Sequence, residues 1–140
     1  MSALTLTLPD GGALALRAGQ LTQCAWSPAN HAAVSAALLA AGQVTLALPA
    51  QGGLLSTLSV ADNLTLAASY HGMPWAELDA ALALLLPALA LDAAAWRTLL
   101  ATPTEQLSAD DRRRVLLLRA ALTPAAAWLI DSDFFADAHP

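Results

Sequence analysis

Two aspartates close an apolar run, Trp128-Leu129-Ile130-Asp131-Ser132-Asp133. Alternate residues of an extended strand face the same side, so Asp131 and Asp133 could hold a hard cation there. Carboxylates at a strand end are otherwise simply solvated. Upstream, Leu107-Ser108-Ala109-Asp110-Asp111 runs into Arg112-Arg113-Arg114. Ser108 can cap a helix and Asp111 can complete a capping box with it. Asp110 and Asp111 also suit the positive end of the helix dipole. The three arginines read as a solvated first turn pairing with those aspartates, and less naturally as a grip on an acidic partner surface. His31, at a helix start, could touch a phosphate, although a surface histidine is the plainer reading.

Other chemistries find no residues to carry them. No serine sits in a Gly-x-Ser-x-Gly elbow, and Cys24, the only cysteine, has no placed histidine partner. His31, His71 and His139 are scattered without metal-ligand spacing. The 140 residues carry a net charge of −5, which gives no electrostatic case for nucleic acid. All six positive charges are arginines, and lysine is absent altogether. At 57% hydrophobic residues the chain suits a helix-rich packed domain rather than disorder. Its longest apolar run, Ala80 to Leu91, contains Pro87 and falls short of the roughly 20 residues a membrane span needs. The start of the chain lacks the basic and apolar regions of a signal peptide. A soluble, cytoplasmic protein is the expectation.

The elements that must position these residues follow from periodicity and punctuation. Leu4 to Leu8 alternates as a half-buried strand does, Pro9 to Gly12 is a turn, and Ala13 to Arg17 completes a hairpin. Gln20 to Trp26 reads as a third strand, Ala32 to Ala41 as a helix ending at Gly42, and Gln43 to Leu48 as another strand. Gln51 to Thr57 is a glycine-containing loop. A helix from about Ser59 to Tyr70 breaks at His71-Gly72-Met73-Pro74. The next opens at Pro74-Trp75 with a kink expected at Pro87, and Asp92 caps a short one through Leu100. Ser108 then opens a helix with an apolar face at Val115, Leu116, Leu118, Ala121 and Leu122. Pro124 stops it, and Ala125 to Ile130 reads as a strand buried on both faces.

The segment Leu48-Pro49-Ala50-Gln51-Gly52-Gly53-Leu54-Leu55-Ser56-Thr57-Leu58-Ser59-Val60-Ala61-Asp62-Asn63-Leu64 resembles the Q-loop region of ABC-transporter ATPase domains. That region runs through a glutamine, paired leucines, Leu-Ser/Thr-Val and an acidic-Asn-Leu triplet. The Leu107 to Asp111 stretch is similar to the family's LSGGQ signature, keeping Leu-Ser and replacing Gly-Gly-Gln with Ala-Asp-Asp. Asp131 stands at the Walker B aspartate, with Ser132 where the family has its catalytic glutamate. Gly19 to Gly42 matches the strand, phosphate loop and first helix in length and apolar rhythm. Its loop, Trp26 to Ala33, has none of the family's glycines, and Pro28 removes an N–H donor. Ala32 and Ala33 stand where the lysine and the Mg²⁺-binding hydroxyl belong. In a chain without lysine, no realignment restores that motif.

The resemblance implies an α/β fold with a shortened P-loop-NTPase-like core over residues 1–61 and 105–140, and a helical subdomain inserted at 62–104. It implies a degenerate, truncated, non-catalytic ABC ATPase-like subunit of a membrane transport system, peripheral on the inner face of the membrane. Its partner would be a transmembrane subunit or an intact ATPase subunit, with a dimer as one arrangement. Gly52, Gly53, Leu54, Leu55, Ser56 and Thr57 would meet the partner, and Gln51, Ser108 and Asp131 would be the remnant nucleotide site. No cofactor is expected. ATP and Mg²⁺ enter only under the alternative, an ATP-hydrolysing subunit with a divergent site around His31, Gln51 and Asp131. Two carboxylates in the signature weigh against that alternative. A like-charge pair about 4 Å apart costs roughly 4 kcal/mol at an effective dielectric near 20.

Overall fold

In the computed structural model the described residues are 4–25, 27–43, 45–70, 72–123 and 127–135. The chain is mixed α/β and divides into two compact units, Met1–Thr45 and Leu46–Pro140.

In the first unit, the alternation of Leu and Thr builds strand β1 (Leu4–Thr7), which pairs antiparallel with β2 (Ala13–Leu16), Leu4 opposite Leu16 and Thr7 opposite Ala13. Gly11, at φ +90°, lets the turn close, and the Leu8 N–H reaches Gly12 O at 2.7 Å. The expected third strand is not formed: Gln20 to Ala25 has no regular structure, and Leu21 is 84% exposed. The segment's polar Gln20, Thr22 and Gln23 break any alternation that could bury one face. Trp26 lies outside the described residues.

Helix α1 spans Pro28–Ala40, four residues earlier than the apolar rhythm suggested. Ser27 is its N-cap, accepting from the Asn30 N–H at 3.0 Å, and Pro28 takes the first helical position, where no N–H is needed. Val34 and Leu38, one turn apart, are its buried apolar residues. It ends in a Schellman motif: Gly42 at φ +73°, with N–H bonds from Gly42 to Leu39 O and from Gln43 to Leu38 O.

The Asp10 side chain ties the hairpin turn to this helix. One oxygen accepts from the Gly12 N–H at 2.9 Å, the other from Asn30 Nδ2 at 3.2 Å. These bonds, the Gly12 one foremost, hold its carboxyl below the ordinary 3.8. A depressed carboxyl stabilises the fold above its unfolded pKa, and that contribution is lost as pH falls through the folded value. The first unit is therefore expected to loosen as pH drops below about 4. The Gly12 amide resonance should report this titration, and Asp10→Asn should abolish it.

The second unit is organised by helix α5 (Ala109–Leu122). Strand β3 (Thr45–Leu48) precedes it in sequence, as do α2 (Val60–Tyr70), α3 (Trp75–Ala88) and α4 (Ala93–Ala101). A 3-10 turn at Thr104–Gln106 leads into α5, which β4 (Ala127–Ile130) and a second 3-10 turn (Ser132–Phe135) follow. Caps start the helices as the sequence suggests. Ser59 Oγ accepts from Asp62 N–H, Asp92 Oδ1 from Ala95 N–H, and Ser108 Oγ from Asp111 N–H. Pro87 lies in the last turn of α3, which ends one residue later.

Buried residues of α5 face two ways. Val115, Leu118 and Leu122 join Val60, Leu64 and Ala68 of α2, with Leu78, Leu91 and Leu99, in one apolar cluster. Leu116 and Ala120, one turn apart, join Leu48 and Phe134 in another. β3 pairs with β4 in a two-stranded sheet. β4 is not buried on both faces: its residues alternate, with Trp128 at 42% and Ile130 at 38% exposure. One covering layer and a single paired strand leave its outer side open. Among the described residues no single helix is long and apolar enough to cross a membrane, although α3 and α4, bent by 109°, pass that test as a pair.

Candidate functional site

The loop after β3 is where the second unit concentrates its long-range polar contacts. Arg112, in the first turn of α5, donates from one guanidinium nitrogen to Ala50 O at 2.6 Å and from the other to Gly52 O at 2.8 Å. Arg119, two turns further along α5, donates to Gly53 O at 2.6 Å. From α2, Asn63 grips the other end of the loop. Its Oδ1 accepts from the Leu55 N–H at 2.8 Å, and its Nδ2 donates to Leu55 O, Leu58 O and Ser59 O. Thr104 Oγ1 adds a bond to Leu58 O at 2.6 Å. Leu54 packs against both apolar clusters. Residues 50–58 are thus fixed by three separate elements, while Gln51, Leu55, Ser56 and Thr57 remain exposed. An exposed apolar side chain on a braced loop can meet a partner without the entropy of ordering the loop first.

Asn63 is 2% exposed, and its Oδ1 is the one acceptor that the Leu55 N–H has among the described residues. Asn63→Ala should therefore destabilise the second unit by about 1–3 kcal/mol through unsatisfied backbone groups. Hydrogen exchange should rise first at the Leu55 amide. Asn63→Asp, which keeps the acceptor but turns a buried carboxylate oxygen toward the three carbonyls, should cost at least as much as Asn63→Ala.

The three arginines after the signature-like stretch are not a solvated first turn. Arg113 is 6% exposed and donates from Nε to Phe134 O at 2.8 Å and from NH1 to Asp110 Oδ1 at 2.6 Å. Arg114 pairs with Asp111 at 3.0 Å, so the pairing with both aspartates is present. Arg112 turns to the loop instead. The reason is spacing: residues 112 and 119 lie on the face of α5 against the 50–53 segment, whereas 113 points to the 3-10 turn after β4. Asp111 Oδ1 accepts from Arg114, and among the described residues no bond runs back from the Ser108 N–H to Asp111 to complete the capping box.

Gln51, Ser108 and Asp131 are each placed separately, and no hydrogen bond joins them among the described residues. Gln51 is exposed, Ser108 caps α5, and Asp131 Oδ1 accepts from the Asp133 N–H at 2.9 Å. The cation-sharing alternative for Asp131 and Asp133, offered beside simple solvation, finds no support in this backbone. The strand ends at Ile130 and the chain coils into a 3-10 turn, so the extended backbone that would align Asp131 with Asp133 is missing. Among the described residues no three His, Cys, Asp or Glu side chains gather in a metal-binding group.

The start of α1, where the resemblance places the phosphate loop, has little to offer an anion. Pro28 has no N–H, the Asn30 N–H is held by Ser27, and Asp10 brings a carboxylate to the Asn30 side chain. Of the first helical turn's unpaired donors only Ala29 remains. His31 is exposed and belongs to the first unit, whereas Gln51 and Asp131 belong to the second.

Sequence reasoning missed the two residues that do most for the loop. Arg119 sits in an otherwise apolar stretch of α5, in register with Arg112 two turns earlier. A lone cation on a helix face with that register is a signal that something polar packs there. Asn63 belonged to the Q-loop-like string without a role of its own. Compared with models of known protein families, with curated proteins and with solved structures, the chain finds no match in any of the three.

Proposed function

We propose that the chain is a non-catalytic, degenerate ABC ATPase-like subunit, a shortened P-loop-NTPase-like fold whose working surface is the 50–58 loop. The loop docks on a transmembrane subunit of a transport system and places the protein at the inner face of the membrane. The observation that carries this reading is the bracing of the loop by Arg112, Arg119 and Asn63, which leaves Leu55, Ser56 and Thr57 outward. The same positions follow Gln51 in the string that resembles the family's Q-loop. Lost chemistry is consistent with it: no lysine for the phosphates, no glutamate after Asp131, and a first helix whose N-terminus is closed.

A photo-crosslinking residue at position 55 or 57, in the full chain in its own cells, tests this reading. The expected adduct is a multi-span membrane protein, lost in Asn63→Ala. An adduct with an intact ATPase subunit would replace docking by pairing. An adduct with neither, or one that survives loop unpinning, would overturn the proposal.

A further inference from the structure

Asp10 is the one aspartate in the chain that glycine follows. In such a pair the next backbone nitrogen can attack the side-chain carboxyl, because glycine has no Cβ to hinder it. The pair sits at the exposed tip of the β1–β2 hairpin, and nothing lies within 4 Å of the place a Gly11 Cβ would occupy.

Both reacting groups are nevertheless held. The Gly11 N–H, the attacking group, donates to Leu8 O at 2.9 Å. The carboxyl it must reach is fixed at both oxygens, Oδ1 by the Gly12 N–H at 2.9 Å and Oδ2 by Asn30 Nδ2 at 3.2 Å. Those two bonds also favour the ionised carboxyl, whereas the neutral acid is the form that loses water to a nucleophile. Reaction therefore needs the turn to open, a local event that costs less than unfolding the whole chain. Asn30 is 2% exposed and anchored to Ala25 O at 2.9 Å, and among the described residues it is the one side chain that bonds Asp10.

We propose that Asp10–Gly11 is a site of isoaspartate formation whose rate is set by the Asn30 bond to the hairpin turn. The Gly11 nitrogen bonds to Asp10 Cγ, its proton and the carboxyl hydroxyl leave as water, and a succinimide ring closes. Water then adds to either ring carbonyl. Opening at Cγ restores aspartate; opening at the main-chain carbonyl leaves the peptide bond on Cγ and the free carboxyl on Cα. The water lost is regained, and nothing is oxidised or reduced. The product's main chain is a methylene longer at the turn, so its carboxyl no longer meets both Gly12 and Asn30. Each opening that reacts leaves the hairpin less firmly tied to α1. The site rests on the hairpin turn and is independent of the docking reading.

The test is incubation of the folded full chain at mildly acidic pH, followed by cleavage at arginine. The peptide ending at Arg17 contains no aspartate but Asp10, so isoaspartate identified in it by electron-transfer fragmentation reports this position alone. Asn30→Ser keeps the backbone N–H that Ser27 caps and removes the bond to Asp10. It should raise the rate of isoaspartate formation about tenfold, the effect of one lost hydrogen bond. In graded urea the wild-type rate should rise in step with hydrogen exchange at the Gly12 amide, a readout that needs no variant to fold. Isoaspartate forming as fast in the folded wild-type chain as in concentrated urea would overturn the proposal. So would a folded Asn30→Ser chain that reacts no faster, a rate that stays flat while Gly12 exchange rises, or a peptide that reacts in neither state.

Discussion

Phe134→Ala is expected to destabilise the second unit by about 3–5 kcal/mol, the usual range for emptying a buried aromatic site. The side chain is fully buried and closes the cluster of Leu48, Leu116 and Ala120, so it joins β3, α5 and the turn after β4. Domains of ordinary stability have about 5–15 kcal/mol in total, so this one change takes a large share. Chemical denaturation should show a lower midpoint. Phe134→Leu, which refills much of the volume, should recover most of the loss. The arginine bond to the Phe134 carbonyl is to backbone and survives either substitution. An alanine variant as stable as the wild type would mean that residues 131–135 do not close the core.

Gly53→Ala should be the second most damaging change, and it bears directly on the loop. Gly53 has φ +90°, a conformation that costs a non-glycine residue about 1–3 kcal/mol. An added Cβ would also come within 2.9 Å of Pro49 Cγ and 3.1 Å of Leu116 Cδ2. Pro49 Cγ belongs to a ring and Leu116 to a closed core, so neither yields easily. The backbone must shift, and with it the Gly53 carbonyl held by Arg119. The expected result is a lower denaturation midpoint with faster exchange across residues 50–55. Gly52→Ala has the left-handed φ but no neighbour to meet, so it should cost less. Equal costs at the two positions would show that backbone strain alone, and not the contact with α5, sets the loop.

Much of this architecture is legible in the sequence because it rests on local rules. Ser27-Pro28, Asp92 and Ser108 are helix starts by chemistry, Gly42 is a helix stop, and the Leu-Thr alternation of β1 is a strand pattern. The apolar rhythm alone placed the start of α1 too late, because the first turn of a helix is written in its cap and its proline rather than in its buried face. The supposed third strand failed over Gln20 to Ala25 because its polar residues leave no face to bury, and β4 failed to be doubly buried because sheet coverage is a tertiary property. The loop's fixation is illegible for a related reason. Arg112 and Arg119 bond to backbone carbonyls some sixty residues away, and a carbonyl has no letter of its own. The carboxylates at 131 and 133, whose plainer reading is solvation, could share a cation only on extended backbone, and the chain turns there.

The proposed function requires a chain without a working nucleotide site whose braced loop is its interface. Isothermal calorimetry of ATP binding to the purified full chain, with and without Mg²⁺, tests it most directly. The account predicts no Mg²⁺-dependent binding tighter than millimolar, and no change in Asp131→Ala. Micromolar, Mg²⁺-dependent binding that Asp131→Ala abolishes would contradict it, and would make this chain a working ATPase subunit with a divergent site.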